Sequence, residues 1–324
     1  YLIVTRTGDP VLLMSRDHGR TFSETPLGAG RARTGSVDIE VFTGHNLPQG
    51  SPPVIRYCQT AGHDSKFRWR SLNDLELFLP EKSADGLSLG DPVRISERIL
   101  SPAQHSGTPP AIASCGSKVH VVWGEATDHG ADVPGVPMFV ASYDRETGKL
   151  GEPVFLAYGP PPNDGHNTPA ITGDSQGYLH IVGGTHGAPF PYVRSLKPND
   201  AYSGWTEPKP ASGGRQTYIG LLCGPDDTLY MVFRAWWGGT DYFPAGNYGT
   251  LSLSRKKPGQ TWEACRQLVV PPFSEYSVYY HRLTIDRKGR LFISYNQYCT
   301  YHFYRNDHVG NRRALIMSPD GGDT

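Results

Sequence analysis

The chain has 324 residues, and 31 Lys and Arg balance 31 Asp and Glu, so its formal net charge is zero. This balance argues against a general nucleic-acid-binding protein, which usually carries a basic surplus, and against a polybasic membrane anchor. No apolar run approaches the roughly 18 residues that a membrane-spanning helix needs. The 38 glycines and 28 prolines, about a fifth of the chain, indicate a turn-rich, β-rich globular protein.

Internal repeats run through the sequence. Each repeat has an apolar strand, a short polar gap, a second strand and a turn that begins with serine, and repeats of this kind are typical of propeller blades. We therefore predict an all-β fold with a single β-propeller domain over residues 1–324. We expect seven blades of four antiparallel strands, with the first and last blades incomplete in this sequence. The leading serines are Ser15, Ser71, Ser142, Ser195, Ser254 and Ser318.

Four pairs of predicted inner strands follow one another along the chain. They cover residues 108–123, 168–182, 218–232 and 282–294, and a short Gly-containing or polar turn joins the members of each pair. Residues 28–105 fit the repeat least well, so we expect a long insertion there.

Polar side chains cluster at one end of these strand pairs. Because the two inner strands of a blade run antiparallel, the start of the first and the end of the second lie on the same rim. The sequence therefore predicts that four consecutive blades present polar residues at one mouth of the propeller. These residues are His105 and Glu125, His166 and His186, Tyr218 and Arg234, and His281 and Asn296.

Each of these residues also has a structural interpretation. A lone His or Tyr at a strand end is usually a hydrogen-bonded surface residue, and Arg234 could pair with a neighbouring blade. Trp236 could stack on a sugar or pack in the core. His120 and His180 fall inside predicted strands, where we expect packing residues.

The spacing of Cys299, His302 and His308, C-x₂-H-x₅-H, could bind zinc, although it offers only three ligands near a loop. We expect no required cofactor. A structural divalent metal remains open, with its position unknown.

The serine-led turns resemble a known motif. Residues 15–22 (SRDHGRTF) and 318–324 (SPDGGDT) resemble the Asp-box, S-x-D-x-G-x-T-F/W, of sialidase-like propellers, and residues 254–262 are a degenerate copy. In such a turn, Ser and Asp side chains bond the turn backbone and glycine supplies a positive φ. The motif is thus a structural signal without functional content.

Residues 164–236 resemble the seven-bladed propeller polysaccharide lyases, namely the ulvan lyases and the fungal rhamnose–glucuronate lyase of gum arabic. Propeller α-L-rhamnosidases form a similar sister group. The family pattern has a His before one inner strand, a second His later, a Tyr that opens the next blade and an Arg after it. Here His166 and His186 are 20 residues apart, and Tyr218 and Arg234 are 16 apart. The interval of 32 residues from His186 to Tyr218 is shorter than in those lyases. The usual Y-P of the Tyr motif and the D-G after the Arg are absent, since the sequence has Tyr218-Ile219 and Arg234-Ala235 at these points.

The resemblance implies a polysaccharide lyase that cleaves a rhamnose- and uronate-containing glycan by β-elimination at the uronate C4–O bond. Arg234 would bind the uronate carboxylate, because a neutralised carboxylate makes the C5 proton easier to remove. Tyr218 and either His166 or His186 would share the base and acid roles.

Position alone makes His105, Glu125, His281 and Trp236 candidate substrate-binding residues. We expect a secreted or periplasmic monomer that binds an anionic polysaccharide or oligosaccharide, and neither nucleic acid nor membrane.

Two other functions stay open. A glycoside hydrolase normally needs two carboxylates across the glycosidic bond, and Glu125 is the candidate for one of them. This class includes an α-L-rhamnosidase acting on rhamnosyl-glucuronate and a sialidase, although the F/Y-R-I-P motif of sialidases is absent from this sequence. A non-catalytic glycan-binding propeller is the second alternative, since the fold does not decide the function.

Overall fold

The computed structural model describes residues 1–6, 9–28, 34–59, 72–84, 86–100, 110–127, 132–161, 163–238, 248–270, 278–298 and 311–324. Over these ranges the chain forms antiparallel sheets and a 3₁₀ turn at Gly165–Asn167. In the same part of the chain, no helix has the length and apolarity to span a bilayer.

Six sheets follow one another in the described ranges, and they are blades 1 to 6 in chain order. Blade 1 contains β1 (Leu2–Arg6), β2 (Asp9–Met14) and β3 (Ser23–Pro26). Blade 2 contains β4 (Thr34–Ile39), β5 (Val54–Gln59), β6 (Leu72–Phe78) and, after a separate hairpin of β7 (Glu81–Ser83) and β8 (Gly86–Ser88), β9 (Val93–Leu100).

Blades 3 and 4 have five strands each. Blade 3 contains β10 (Ile112–Cys115), β11 (Lys118–Gly124), β12 (Val136–Asp144), β13 (Lys149–Leu150) and β14 (Val154–Gly159). Blade 4 contains β15 (Ala170–Gly173), β16 (Leu179–Val182), β17 (Pro191–Lys197), β18 (Asp200–Trp205) and β19 (Lys209–Pro210).

Blades 5 and 6 carry the longest inner strands. Blade 5 contains β20 (Arg215–Cys223), β21 (Leu229–Trp237), β22 (Tyr248–Lys256) and β23 (Arg266–Val269). Blade 6 contains β24 (Val278–Ile285), β25 (Leu291–Tyr298) and β26 (Asn311–Ser318).

The predicted inner strand pairs are confirmed as β10–β11, β15–β16, β20–β21 and β24–β25. Similar turns close three of them, and in the turn of β20–β21 Asp226 Oδ1 accepts from the backbone N–H of Thr228. Asp174 Oδ1 accepts from the backbone N–H of Gln176 and Tyr178, and Asp286 does the same for Lys288 and Arg290. An Asp side chain that bonds its own turn favours a tight reversal, which sets the register of the pair.

The hydrophobic core lies in layers between neighbouring blades. One cluster joins blades 2, 3 and 4, a second joins blades 4 and 5, a third joins blades 5 and 6, and a fourth joins blades 1 and 2. The inner strands β10, β15, β20 and β24 stand side by side. Blades 2 to 5 thus bury their apolar faces against the blade on either side, as in a propeller.

The structure differs from the sequence prediction in the number of strands per blade. The sheets have three to five strands rather than a uniform four, and the described residues form six blades, so the seventh blade stays a prediction. Within residues 28–105, the described residues form a four-stranded blade and, in addition to it, the short hairpin β7–β8.

Candidate functional site

A β-bulge shapes the inner strand of blade 5. The pairing of β20 with β21 shifts register between Thr217 and Gly220, and Tyr218 lies in the bulge with a φ of +66°. A non-glycine residue with positive φ is uncommon, and bulges of this kind re-aim a side chain. The same irregularity recurs in blade 6, where Tyr280 has a φ of +53°. The bulge turns Tyr218 towards blade 4.

Asp164 organises the site in blade 4. It caps the 3₁₀ turn, and its Oδ1 accepts from the backbone N–H of His166 at 2.9 Å and also from the His166 ring at Nδ1. Its Oδ2 accepts from His186 Nδ1 at 3.0 Å. The two imidazole rings are stacked with their centroids 4.0 Å apart. One carboxylate therefore orients both histidines.

This hydrogen-bond network assigns the ring tautomers. A carboxylate only accepts hydrogen bonds, so Nδ1 of each imidazole carries the proton and Nε2 of each neutral ring is a lone-pair nitrogen. His166 Nε2 lies 3.3 Å from the Tyr218 hydroxyl, which donates to it. His186 is the exposed member of the pair, with 46% of its side chain accessible. Its Nε2 is the nitrogen that stays open to a substrate.

Burial and hydrogen bonding set the charges of the cluster. Burial raises the pKa of Asp164, but hydrogen bonds from His166 and His186 outweigh it, and the net pKa lies below the usual range of a carboxyl. Burial lowers the pKa of His166 despite its bond to Asp164. At neutral pH the cluster is therefore a carboxylate beside a neutral His166, which can accept a proton at Nε2.

Arg234 lies next to Tyr218. The guanidinium carbon is 4.4 Å from the centre of the Tyr218 ring and 4.7 Å from that of Trp236, and the residue is only 1% exposed. Gly249 makes room for it, since a Cβ there would lie 3.0 Å from Arg234 Cδ. The side chain therefore places a fixed positive charge beside the phenol ring.

Four of the residues that we predicted at one mouth of the propeller lie close together in the structure. The structure brings His166, His186, Tyr218 and Arg234 together across blades 4 and 5. The Trp236 ring also contacts the Arg234 guanidinium, and Trp236 is half-buried. Predicted site residue His105 and the predicted zinc ligands Cys299, His302 and His308 lie outside the described residues.

Two predicted substrate-binding residues have structural partners instead. His281 is buried and its Nε2 donates to the Val232 carbonyl at 3.1 Å. It therefore links β24 of blade 6 to β21, the strand that carries Arg234. Glu125 Oε1 accepts from Ser96 Oγ at 2.6 Å and from Trp123 Nε1 at 3.0 Å. The burial of His281 does not fit a direct sugar contact.

Sequence reasoning missed Asp164 and Tyr280. Asp164 was visible as an acidic residue two positions before His166, a spacing that lets one side chain cap the turn and bond the ring. Tyr280 directly precedes His281, and its ring meets that of Tyr218 at 6.0 Å in an edge-to-face arrangement. Its position in blade 6 matches that of Tyr218 in blade 5, which the internal repeat could have revealed.

Two groups of metal-ligating side chains occur in the described part of the chain. One is Asp164, His166 and His186 in this site, whose atoms already bond one another, and the other is His45, Cys223 and Asp227. The first group fits a hydrogen-bonded proton relay as it stands.

A family model described as "BNR repeat-containing family member" matches residues 136–297, half of the chain. The chain belongs to this family. The residues of this BNR repeat-containing protein that the model matches include His166, His186, Tyr218 and Arg234. No curated protein matches the sequence.

One solved structure supports the fold of this BNR repeat protein, and others are similar to parts of it. An α-L-arabinanase of Penicillium chrysogenum, complexed with arabinobiose, superposes with a TM-score of 0.51 at 15% identity, over 96% of this chain and 85% of the arabinanase. An ulvan lyase bound to a glucuronate–rhamnose 3-sulfate glycan gives 0.48 at 17% identity, over 63% of this chain and 47% of the lyase. A further polysaccharide lyase gives 0.46 at 13% identity, over 72% and 58%. The BNR repeat protein thus spans about half the length of the ulvan lyase.

Proposed function

We propose that this propeller is a carbohydrate-active enzyme, a polysaccharide lyase that cleaves an anionic glycan by β-elimination at a uronate C4–O bond. The observation that carries the proposal is the pair of histidines on Asp164 with the Tyr218 hydroxyl bonded to one of them. We further propose a rhamnose- and uronate-containing substrate such as ulvan or gum arabic, and a secreted or periplasmic location.

The chemistry requires two proton transfers at neighbouring carbons. A base takes the C5 proton, its electron pair forms the C4=C5 double bond, the C4–O bond breaks, and an acid gives a proton to the leaving oxygen. The base and the acid must lie on opposite faces of the sugar ring, for anti elimination, or next to each other on the same face, for syn elimination. No water is consumed, which separates this reaction from hydrolysis.

His186 Nε2 and Tyr218 Oη are the two atoms that we propose exchange protons with the substrate. His186 is exposed and has a lone pair at Nε2, and Tyr218 carries a proton that it shares with His166. His166 receives the Tyr218 proton when a tyrosinate is needed and returns it when an acid is needed. Asp164 holds both rings in the required tautomer.

Arg234 supplies charge in this proposal rather than a direct clamp. Its guanidinium is buried and packs on the Tyr218 and Trp236 rings, so we do not propose that it contacts the substrate carboxylate directly. A fixed cation in a water-poor site still stabilises the negative charge that develops on the uronate and on the Tyr218 oxygen. The hydrolase alternative is less favoured, because Asp164 is fully engaged with two imidazoles and Glu125 with Ser96 and Trp123.

The test is ultraviolet absorbance during incubation with ulvan and with gum arabic. β-Elimination creates a conjugated unsaturated uronate that absorbs, whereas hydrolysis does not. We expect a rise in absorbance that falls by at least about a hundredfold in Tyr218→Phe, because one positioned proton-transfer group contributes 10²–10⁴-fold. The matched control is Tyr230→Phe, a buried tyrosine of the neighbouring strand that lies outside the site.

A second substrate separates the base from the acid. A uronate with fluoride at C4 needs no acid, so the variant that lacks only the acid recovers turnover on it and the variant that lacks the base does not. Comparing Tyr218→Phe with His186→Gln on this substrate assigns the roles. Reducing sugar released without absorbance would overturn the lyase in favour of a hydrolase, and unchanged binding without any product would favour a glycan-binding propeller.

A further inference from the structure

The loop between β4 and β5 crosses the ends of three inner strands at the end of the propeller opposite the candidate site. Glu40 accepts from the backbone N–H and the hydroxyl of Ser114 in β10. The Thr43 carbonyl accepts from Thr172 Oγ1 in β15 and from the backbone N–H of Cys223 in β20. The loop is therefore fixed to blades 3, 4 and 5.

Glycine is required where this loop meets β20. Gly44 has a φ of +122°, and a Cβ there would lie 1.9 Å from the Cys223 carbonyl oxygen. This close approach carries the next residue, His45, over the turn that joins β20 to β21. Its Nε2 lies 2.8 Å from the Gly224 carbonyl oxygen and 3.3 Å from Asp227 Oδ1.

A nitrogen, a thiol and a carboxylate meet at this point. A ring nitrogen of His45, Cys223 Sγ and a carboxylate oxygen of Asp227 all lie within 4.8 Å of one another, and Cys223 Sγ is 3.7 Å from the Gly224 oxygen. Ligands of a tetrahedral zinc ion are about 3.3 Å apart for two N or O atoms and about 3.6 Å apart for S and O, given the usual zinc–ligand lengths. The distances from His45 to Asp227 and from Cys223 to Gly224 match these edges, whereas the 2.8 Å between His45 Nε2 and the Gly224 oxygen is a hydrogen-bond distance that has to lengthen by about 0.5 Å when both atoms bind the ion.

The supporting groups also suit a metal. Ser175 donates to both oxygens of Asp227, from its backbone N–H at 2.7 Å and from its hydroxyl at 2.6 Å. Such bonds orient a ligating carboxylate. Cys223 is fully buried, whereas His45 and Asp227 are about a quarter exposed, so an ion can enter from solvent and reach a shielded sulfur.

We propose that His45, Cys223 and Asp227 bind a structural Zn²⁺ ion, with the Gly224 carbonyl oxygen as the fourth ligand. The mixture of imidazole, thiolate and carboxylate suits zinc rather than magnesium or calcium, which prefer oxygen ligands alone. On binding, the Cys223 thiol releases its proton to solvent, and the proton of His45 moves from Nε2 to Nδ1. Four protein ligands leave no open position, so the ion joins blade 2 to blade 5 without taking part in catalysis.

The experiment uses the full chain stripped with a chelator and then titrated with Co²⁺ and Zn²⁺. We expect one Co²⁺ per chain with a thiolate-to-cobalt charge-transfer band, and a rise in the melting temperature of the protein on adding Zn²⁺. Cys223→Ser should abolish the band, whereas the matched control Cys115→Ser, a partly buried thiol of β10, should keep it.

Two further variants guard against loss of folding. Asp227→Asn and His45→Ala change partly exposed side chains, and each should weaken Zn²⁺ binding at least about tenfold while the metal-free melting temperature stays close to that of the parent. A charge-transfer band that survives Cys223→Ser overturns the proposal, because the thiolate then comes from another cysteine. Binding of Co²⁺ without a thiolate-to-cobalt band also overturns it and points to Asp164, His166 and His186. No binding at micromolar metal overturns it as well.

Discussion

Asp164 accepts hydrogen bonds from two imidazoles at once, which makes it the residue on which the geometry of the site depends. It fixes Nδ1–H on both rings, so both Nε2 atoms are unprotonated in the neutral state. An amide in its place could donate as well as accept. One imidazole could then accept a hydrogen bond from the amide at Nδ1, and its proton would be on Nε2 instead.

We therefore expect Asp164→Asn to lower kcat by about 10²–10⁴-fold on a uronate glycan, since a misplaced tautomer costs this much in comparable carboxylate–histidine pairs. The measurement is the initial rate of unsaturated uronate formation. Asp174→Asn is the matched control, because Asp174 also bonds a histidine, His180, at 3.1 Å but outside the site. An unchanged kcat in Asp164→Asn would contradict the proposed role.

The sequence predicted the central side chains better than their surroundings. Strand direction alone placed His166 with His186 and Tyr218 with Arg234, because antiparallel inner strands return to the same rim. Burial was not visible in the same way. Arg234 and His281 have the right sequence positions for the mouth, yet each lies in a packed layer between blades, and only the side chains of neighbouring strands decide that.

At the scale of elements, Gly184 allows two segments of blade 4 to meet. It follows β16, and a Cβ at this position would lie 2.4 Å from the carbonyl oxygens of His166 and Thr168. Those oxygens belong to backbone and cannot move as a side chain tip can. The absence of a side chain therefore lets the segment carrying His186 approach the 3₁₀ turn carrying His166.

We expect Gly184→Ala to lower the free energy of unfolding by about 1–3 kcal/mol, the usual cost of overpacking, and to lower activity through separation of the two rings. Chemical denaturation and the lyase rate measure the two effects. Gly213→Ala is the control, because its Cβ would meet nothing within 4 Å. Parent-like stability in Gly184→Ala would show that the two segments can separate at little cost.

Element prediction succeeded where the signal is local. The inner pairs alternate or run apolar, and in three of the four an Asp side chain bonds the turn backbone, so their limits follow from sequence. The outer strands were not predictable in number, because β13 and β19 have only two residues each and gain their place from pairing with β12 and β17.

At the scale of the molecule, the blades stack only on their neighbours, so the sequence of one blade does not determine how many others complete the ring. That is why the repeat predicted the propeller, whereas the number of seven blades stays a prediction. The layers between blades also enclose polar residues. His120 bonds Ser142 Oγ at 2.6 Å and Asn199 Oδ1 at 2.8 Å, and His281 bonds the Val232 carbonyl.

These buried histidines make the stability of the fold sensitive to mild acid. Burial lowers the pKa of both His120 and His281 from 6.5 to about 4. Between these values the unfolded chain binds more protons than the folded one, so the free energy of unfolding decreases as pH falls from about 6.5 to about 4. Below about pH 4 these two groups cause no further decrease. Between pH 7.5 and pH 5, we expect a loss of about 2 kcal/mol for each histidine.

Urea unfolding at pH 7.5 and pH 5 measures this loss directly. His120→Gln removes one titrating group while keeping an amide that can bond Ser142 and Asn199, so its stability should fall by about 2 kcal/mol less than that of the parent over the same interval. His18→Asn is the control, because His18 is exposed in a turn and has a φ of +59° that Asn tolerates. Because the comparison is between two pH values of the same variant, any constant cost of the substitution cancels. An equal loss in His120→Gln and the parent would mean that the acid sensitivity comes from other groups. Asp164 is not one of them over this interval, because its pKa lies below the usual range of a carboxyl and it binds a proton only at lower pH.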